Sequence, residues 1–152
     1  MAETPTFQEH HIIERQAFRG ITLLQQLSKQ GQFNIDDMRN LLNMPADPEL
    51  AAKMGVSPHN GGPLKAYSDA LAERLIALEE TKDFQAMQIG DKAAAQRLAD
   101  RINAIRDTMR AGLINGDLFT NTPKDMSPEA TKAKVADFMG ELDGYSTEIW
   151  WS

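Results

Sequence analysis

The chain has 152 residues, 41% of them apolar and 25% charged, which is enough for one domain with a buried core and is not typical of a disordered protein. It contains no cysteine, so disulfides, thiolate zinc sites and cysteine nucleophiles are excluded, and its net charge of −6 argues against a broad phosphate-binding surface. No apolar run reaches the ~18 residues of a membrane span, and the first residues lack the basic and apolar regions of a signal peptide.

The first part of the chain mixes short extended and helical patterns. Residues 7–13 combine β-branched, aromatic and polar side chains, which favours a short strand. Apolar residues recur at helical spacing over residues 15–29, which predicts one helix with Gly31 at its C-terminal end. Residues 41–44 are typical of a second short strand, which Pro45 ends.

Turns and helices follow in a predictable order. Residues 36–37 are two aspartates typical of a turn, and Asp47 and Gly55 predict the two ends of a compact helix. The stretch 57–63, "SPHNGGP", is a loop by its composition. Residues 64–83 then predict one long helix with an apolar face.

The rest of the chain is almost wholly helical. Residues 91–114 predict a second long helix, which Asn115–Gly116 ends, and Ser127 is the expected N-cap of a third. Two tryptophans, Trp150 and Trp151, precede the final Ser152, and we expect them to pack against the core or to meet a partner.

Histidine is rare, yet two of the three histidines are adjacent. His10 and His11 lie in the first predicted strand, and His59 lies in the glycine-rich loop. Neighbouring strand residues point to opposite faces, so one imidazole could bind a cation while the other deprotonates an attacking water. His59 could then supply a distant ligand. An incidental surface pair and plain turn chemistry are the alternatives.

The order of these features resembles the AHH-type branch of the HNH/endonuclease VII nucleases, which occur as toxin domains of bacterial polymorphic toxin systems. The run from His10 to Ile13 is similar to the family's "HHI" strand, and "RNLLNMP" around Asn40 is similar to its asparagine-initiated second strand. The stretch "HNGGPLKAY", followed by "ALAERL", is similar to its H-x-G-x-H-x-x-Y motif. The resemblance covers about half of the chain, from His10 to Leu75.

The resemblance implies a ββα-metal fold around one divalent cation. It implies that His10 and His59 are metal ligands and that His11 is the general base that activates water against a phosphodiester. It also implies that Asn40 holds the backbone of the His11 loop and so orients the imidazole. The cation would stabilise negative charge on the phosphate and on the leaving oxygen.

The chain departs from the family pattern at three places. Glu9 stands where the family has a small residue. Its carboxylate could bind a metal-ligating side chain, act as an extra metal ligand, or simply lie on the surface. The second histidine of the third motif is missing, so two histidines plus waters favour Mg²⁺, with Zn²⁺, Mn²⁺ and Ni²⁺ as alternatives. The glycine after Asn40 is also missing, which leaves Asn43 as an alternative for the structural role.

Several polar residues near these positions are accessory candidates. Asn60 neighbours His59, and Lys65 and Arg74 could steer a phosphate, although any solvated helix face also carries such cations. A line of cations in the second long helix could be a salt-bridged exposed face or a second surface for nucleic acid. Its members are Lys92, Arg97, Arg101, Arg106 and Arg110.

We therefore expect a mainly α protein with a small β-hairpin, made of a ββα-metal nuclease core over residues 1–85 and a helical extension over residues 86–152. The expected activity is metal-dependent endonuclease cleavage, of DNA rather than RNA. We expect it to be the toxin module of a polymorphic toxin or secreted effector. A delivery machinery or a parent toxin would carry it, a cognate immunity protein would bind it, and it would act in the target-cell cytoplasm. The alternatives are a helical adaptor with incidental histidines and a phosphodiesterase of small substrates.

Overall fold

A computed structural model of the chain describes residues 6–59 and 64–145, apart from the side chain of Tyr145. It confirms a mainly α protein with one two-stranded antiparallel hairpin, formed by β1 (Phe7–His11) and β2 (Leu41–Pro45). Trp150 and Trp151 lie outside the described residues. The helices are α1 (Arg15–Gly20), α2 (Thr22–Lys29), α3 (Pro48–Met54), α4 (Lys65–Ala77), α5 (Lys82–Gln88), α6 (Lys92–Asn115) and α7 (Pro128–Tyr145), with 3₁₀ turns at Met38–Asn40 and Leu78–Glu80.

The hairpin gives each side of β1 a different environment. His10 pairs with Leu42 and is buried, whereas its neighbour Glu9 pairs with Asn43 and both are exposed. Because side chains alternate along a strand, Glu9 lies on the face opposite to His10. Glu9 and His10 therefore do not point into the same space.

Three helices begin or end where their capping residues predict. Asp47, Asp91 and Ser127 accept hydrogen bonds from backbone N–H groups in the first turns of α3, α6 and α7. Gly55 and Gly116 follow α3 and α6 with φ of 71° and 75°, the left-handed conformation that glycine adopts without strain. Local sequence chemistry alone determines these boundaries.

The single helix predicted over residues 15–29 is wrong. The chain forms α1 and α2 instead, separated at Ile21, which is extended (φ −117°, ψ 112°). Gly20 weakens the helix before the break. The carboxylate of Glu79 accepts the hydrogen bond of the Leu23 N–H group at 3.0 Å and so satisfies a donor at the start of α2.

The single helix predicted over residues 64–83 is also wrong, because it is interrupted after Ala77. Helix α4 ends at Ala77 and continues as a 3₁₀ turn, and Thr81 is then extended (φ −90°, ψ 160°). The Thr81 hydroxyl accepts a hydrogen bond from the Phe84 N–H group at 3.2 Å, which starts α5 as a separate helix.

One hydrophobic core joins elements from both halves of the chain. The predicted boundary after residue 85 falls inside α5, and core side chains come from both sides of it. The division into a nuclease core and an extension stays a prediction. Within the described residues, no helix has the combined length and apolarity needed to span a membrane. Core members include Ile12, Leu24, Leu71, Leu75, Leu98, Ile102, Met109 and Met139.

The arginines of α6 do not form one exposed line. Arg106 is only 1% exposed and donates to the carboxylate of Asp107. Arg97 and Arg101 both pair with Asp83 of α5, at 2.9 and 3.5 Å. Arg97 and Arg101 therefore link α6 to α5, and Arg106 lies inside the protein. The sequence pattern alone does not show which face of α6 packs against other helices.

Candidate functional site

The fold brings His10 and His59 together from distant parts of the sequence. Their ring centroids are 5.5 Å apart in an edge-to-face arrangement. His10 is fixed in β1 and is 5% exposed. His59 is half-buried, and its backbone N–H group donates to the carbonyl of Pro45, the last residue of β2, at 2.9 Å. The hairpin therefore carries one ring and anchors the segment that carries the other.

Both rings are in the neutral state that metal binding requires. Burial, together with the charges of His59 and His11, lowers the pKa of His10 to about 4. Burial also lowers the pKa of His59. Neutral imidazoles have a free lone pair at neutral pH, so each ring can act as a ligand.

Two of the ring nitrogens are buried and lack partners among the described residues. These are Nε2 of His10 and Nδ1 of His59. A buried polar atom without a hydrogen bond costs free energy, so such atoms point to a bound water or ion. No set of three or more His, Cys, Asp or Glu residues suited to a metal ion occurs in residues 6–59 and 64–145. The donors present thus fit a cation held by two imidazoles, with water completing its coordination.

His11 has a different environment from His10. Its Nε2 atom lies 3.0 Å from Oδ1 of Asp36, and the guanidinium of Arg15 lies 3.6 Å from the same oxygen. The hydrogen bond to His11, more than the charge of Arg15, lowers the pKa of the Asp36 carboxyl. The carboxylate of Asp36 accepts a hydrogen bond from the Nε2–H group, so the lone pair of the ring is on Nδ1.

Asn40 holds the backbone that follows His11. It is fully buried, and its side-chain oxygen accepts from the Ile13 N–H group at 2.8 Å. Its amide donates to the carbonyls of Ile13 and Ile35 at 3.0 and 2.8 Å, and its own carbonyl accepts from Ile12 N–H at 2.8 Å. Asn43 is exposed on β2 and makes no such contacts with the described residues. These bonds fix the backbone of residues 12–13, and the role of Asn40 in orienting the imidazole of His11 stays a prediction.

The accessory candidates are spread over different surroundings. Lys65 is exposed at the start of α4, and Arg74 of the same helix makes two hydrogen bonds to Asp143 of α7, at 3.0 and 2.7 Å. Glu9 is exposed on the outer face of β1, and Asn60 lies outside the described residues. The bonds to Asp143 give Arg74 a structural task, and the roles suggested for all four residues stay predictions.

Sequence reasoning missed two residues beside the histidines. Asp36 was noted only as part of a turn, and nothing in its spacing shows that it contacts His11. Tyr67 was placed on the apolar face of a helix, yet its buried hydroxyl donates to the Ile12 carbonyl at 2.6 Å and its ring lies 6.0 Å from that of His10. Its place in "HNGGPLKAY" was the available signal for Tyr67.

Comparison with known proteins identifies one family for this chain. Residues 1–109 match the model of the AHH family, described as a nuclease family of the HNH/ENDO VII superfamily with conserved AHH. The His–His pair of this chain, His10 and His11, is preceded by Glu9. No curated protein and no solved structure matches the chain. Since the family match covers the larger part of the sequence, the chain belongs to the AHH nuclease family of the HNH/ENDO VII superfamily.

Proposed function

We propose that the protein is a metal-dependent endonuclease that hydrolyses phosphodiester bonds, with DNA as its preferred substrate. Family membership supports the nuclease activity. The observation that carries the metal dependence is the pair of neutral imidazoles of His10 and His59, whose buried Nε2 and Nδ1 atoms lack partners among the described residues. The DNA preference rests on the family resemblance alone.

His10 and His59 would hold the cation. Two imidazole nitrogens leave most coordination positions to water and substrate oxygen, an arrangement that suits Mg²⁺ and also admits Mn²⁺, Ni²⁺ or Zn²⁺. When bound, the cation would stabilise the negative charge that develops on the phosphate and on the leaving oxygen. Burial keeps His10 neutral, so no proton has to leave this ring before it binds the ion.

His11 would act as the general base. Its Nε2–H group donates to Asp36, which leaves the lone pair on Nδ1 to accept a proton from water. The water oxygen then bonds to phosphorus while the bond from phosphorus to the leaving oxygen breaks. Asp36 stabilises the resulting imidazolium through its negative charge.

Asn40 and Tyr67 would keep this base in place. They bind both carbonyls and both N–H groups of residues 12–13, directly after His11. A change in this backbone would move the imidazole relative to His10. Both residues are therefore positioning residues.

We also propose that the protein is the toxin module of a polymorphic toxin or secreted effector. A delivery machinery or parent toxin would carry it to the target-cell cytoplasm, and a cognate immunity protein would protect the producing cell. The similarity of the histidine motifs to toxin domains supports this role. Expression in a bacterial host should arrest growth, whereas the His11→Ala variant should be tolerated.

The nuclease activity is tested by digestion of plasmid DNA and total RNA. We expect cleavage of plasmid with Mg²⁺, no cleavage with EDTA, and a loss of at least about 100-fold in rate for His11→Ala. Gln8→Ala is the matched control, because Gln8 is exposed on the same strand. Full activity of His11→Ala would exclude His11 as the base, and cleavage in EDTA would exclude the metal.

A further inference from the structure

We propose that the connection between α6 and α7 positions His59, so that cation binding depends on residues 116–120, which lie beyond the family match. The inference rests on the proposed function, in which His59 is a metal ligand. It assigns a task to a part of the chain that carries none of the predicted site residues.

Thr120 binds the chain on both sides of His59. Its N–H group donates to the hydroxyl of Ser57 at 3.0 Å, and its carbonyl accepts from the N–H group of Leu64, the N-cap of α4. Ser57 and Thr120 are fully buried. Bonds of this kind, shielded from water, are costly to leave unmade.

The connection also touches the same segment further upstream. Gly116 ends α6, and a Cβ atom added there would collide with the carbonyl oxygen of Gly55. The ends of α3 and α6 therefore approach each other more closely than any side chain would allow. This contact lies four residues before His59 in the sequence.

His59 is thus held from two directions. Its own N–H group binds Pro45 of the hairpin, and Ser57 and Gly55 before it contact Thr120 and Gly116 of the connection. His10 needs no such support because it lies within β1. The distance between the two imidazoles is therefore set by how the connection fixes the residues before His59.

Two substitutions loosen this contact by different means. Ser57→Ala removes the hydroxyl that accepts from Thr120. Gly116→Ala places a methyl group against Gly55 and must push the connection away from the His59 segment.

Each substitution has a matched control. Thr131→Val deletes a fully buried hydroxyl that donates to the carbonyl of Ser127, directly before α7 and away from the His59 segment. Gly31→Ala introduces a methyl group at a glycine with φ of 76°, close to the 75° of Gly116, but into open space. Comparing each substitution with its control distinguishes an effect on the position of His59 from the general loss of stability that follows a lost hydroxyl or a strained turn.

The experiment measures Mn²⁺ affinity of the full chain by calorimetry and the imidazole signals of His10 and His59 by NMR in EDTA. We expect Ser57→Ala and Gly116→Ala to bind Mn²⁺ about 10- to 100-fold more weakly and to shift the His59 signals, with both controls close to wild type. Wild-type affinity and unchanged His59 signals in both variants would overturn the inference. A wild-type protein that binds no Mn²⁺ would refute the proposed metal site, and the His59 signals would still decide whether the connection positions the ring.

Discussion

His11 and Asp36 form a hydrogen-bonded pair. The bond orients the imidazole of His11 and lowers the pKa of the Asp36 carboxyl. Asp36→Asn keeps the size of the side chain but removes the charge that orients the imidazole and stabilises its protonated form. We expect kcat to fall about 10- to 100-fold with little change in KM, since the substitution affects proton transfer and not binding. Steady-state cleavage of a defined duplex measures both constants.

Asp37→Asn is the control for this change. Asp37 binds Arg39 and the start of the 3₁₀ turn, not His11, so kcat should stay near that of wild type. Equal losses in the two variants would show that the turn, rather than the carboxylate of Asp36, supports catalysis.

Burial of His10 should make the stability of the metal-free protein depend on pH. The pKa of His10 is about 4 in the folded protein against an ordinary 6.5, so between these values the unfolded chain binds a proton that the folded chain does not. The contribution of His10 to stability is therefore complete above pH 6.5 and falls by about 3 kcal/mol as the pH drops to 4. Urea unfolding in EDTA across this range measures the loss.

His10→Gln isolates this contribution, because glutamine does not titrate. The variant should lose less stability than wild type over the same pH range, although carboxylates with lowered pKa, such as Asp83, weaken both proteins on acidification. Parallel curves for the two proteins would contradict the lowered pKa of His10.

Gly112 of α6 and Gly140 of α7 differ in the space beside them, and this difference predicts opposite effects of the same substitution. A methyl group at Gly140 meets no atom within 4 Å, whereas one at Gly112 would overlap the ring of Phe138. Gly140→Ala should stabilise the protein by about 1 kcal/mol through better helix propensity. Gly112→Ala should lower the melting temperature, because the ring of Phe138 must leave its packed position against α6 to make room. Thermal unfolding tests both, and a gain for Gly112→Ala would show that the ring of Phe138 moves at no cost.

The predictable helix boundaries are those set by neighbouring residues. Asp47 and Gly55 mark the ends of α3, and Asp91 starts α6, because each group binds backbone atoms a few residues away. The start of α2 escaped prediction since its N–H donor at Leu23 binds Glu79, which is distant in sequence. Local patterns do not contain that contact.

The candidate site also has features that the sequence predicts and features that depend on contacts between distant residues. The adjacent histidines suggested the chemistry, and the glycine-rich loop and the family resemblance both suggested His59 as the distant ligand. The distance between the rings of His10 and His59 could not be predicted, because the intervening fold cannot be read from the pattern. Asp36 was missed, as a turn aspartate has no periodic signal that shows where its side chain points. The task of Thr120 was also hidden, since it comes from the packing of the α6–α7 connection on the residues before His59.

At the scale of the whole molecule, the acidic charge limits how the protein can bind nucleic acid. The net charge is −6, and several arginines of the described residues are already paired with carboxylates. Arg74 binds Asp143, Arg97 binds Asp83, and Arg106 is buried beside Asp107. Because the net charge is acidic, we expect the cation site and local contacts to supply most of the attraction to substrate.

This charge distribution predicts a weak dependence of cleavage on salt. A protein that neutralises 6–10 phosphates loses about 10³- to 10⁵-fold in affinity between 50 and 200 mM salt. Here one or two contacts predict a rise in KM of about tenfold or less over that range, at constant Mg²⁺.

Lys65→Gln should lower the salt slope by about one if exposed Lys65 contacts a phosphate, whereas Arg74→Gln should leave it unchanged because Arg74 is bound to Asp143. A steep slope in wild type would show that more than one or two cations contact phosphates, and a change in slope for Arg74→Gln would mean that substrate displaces Asp143.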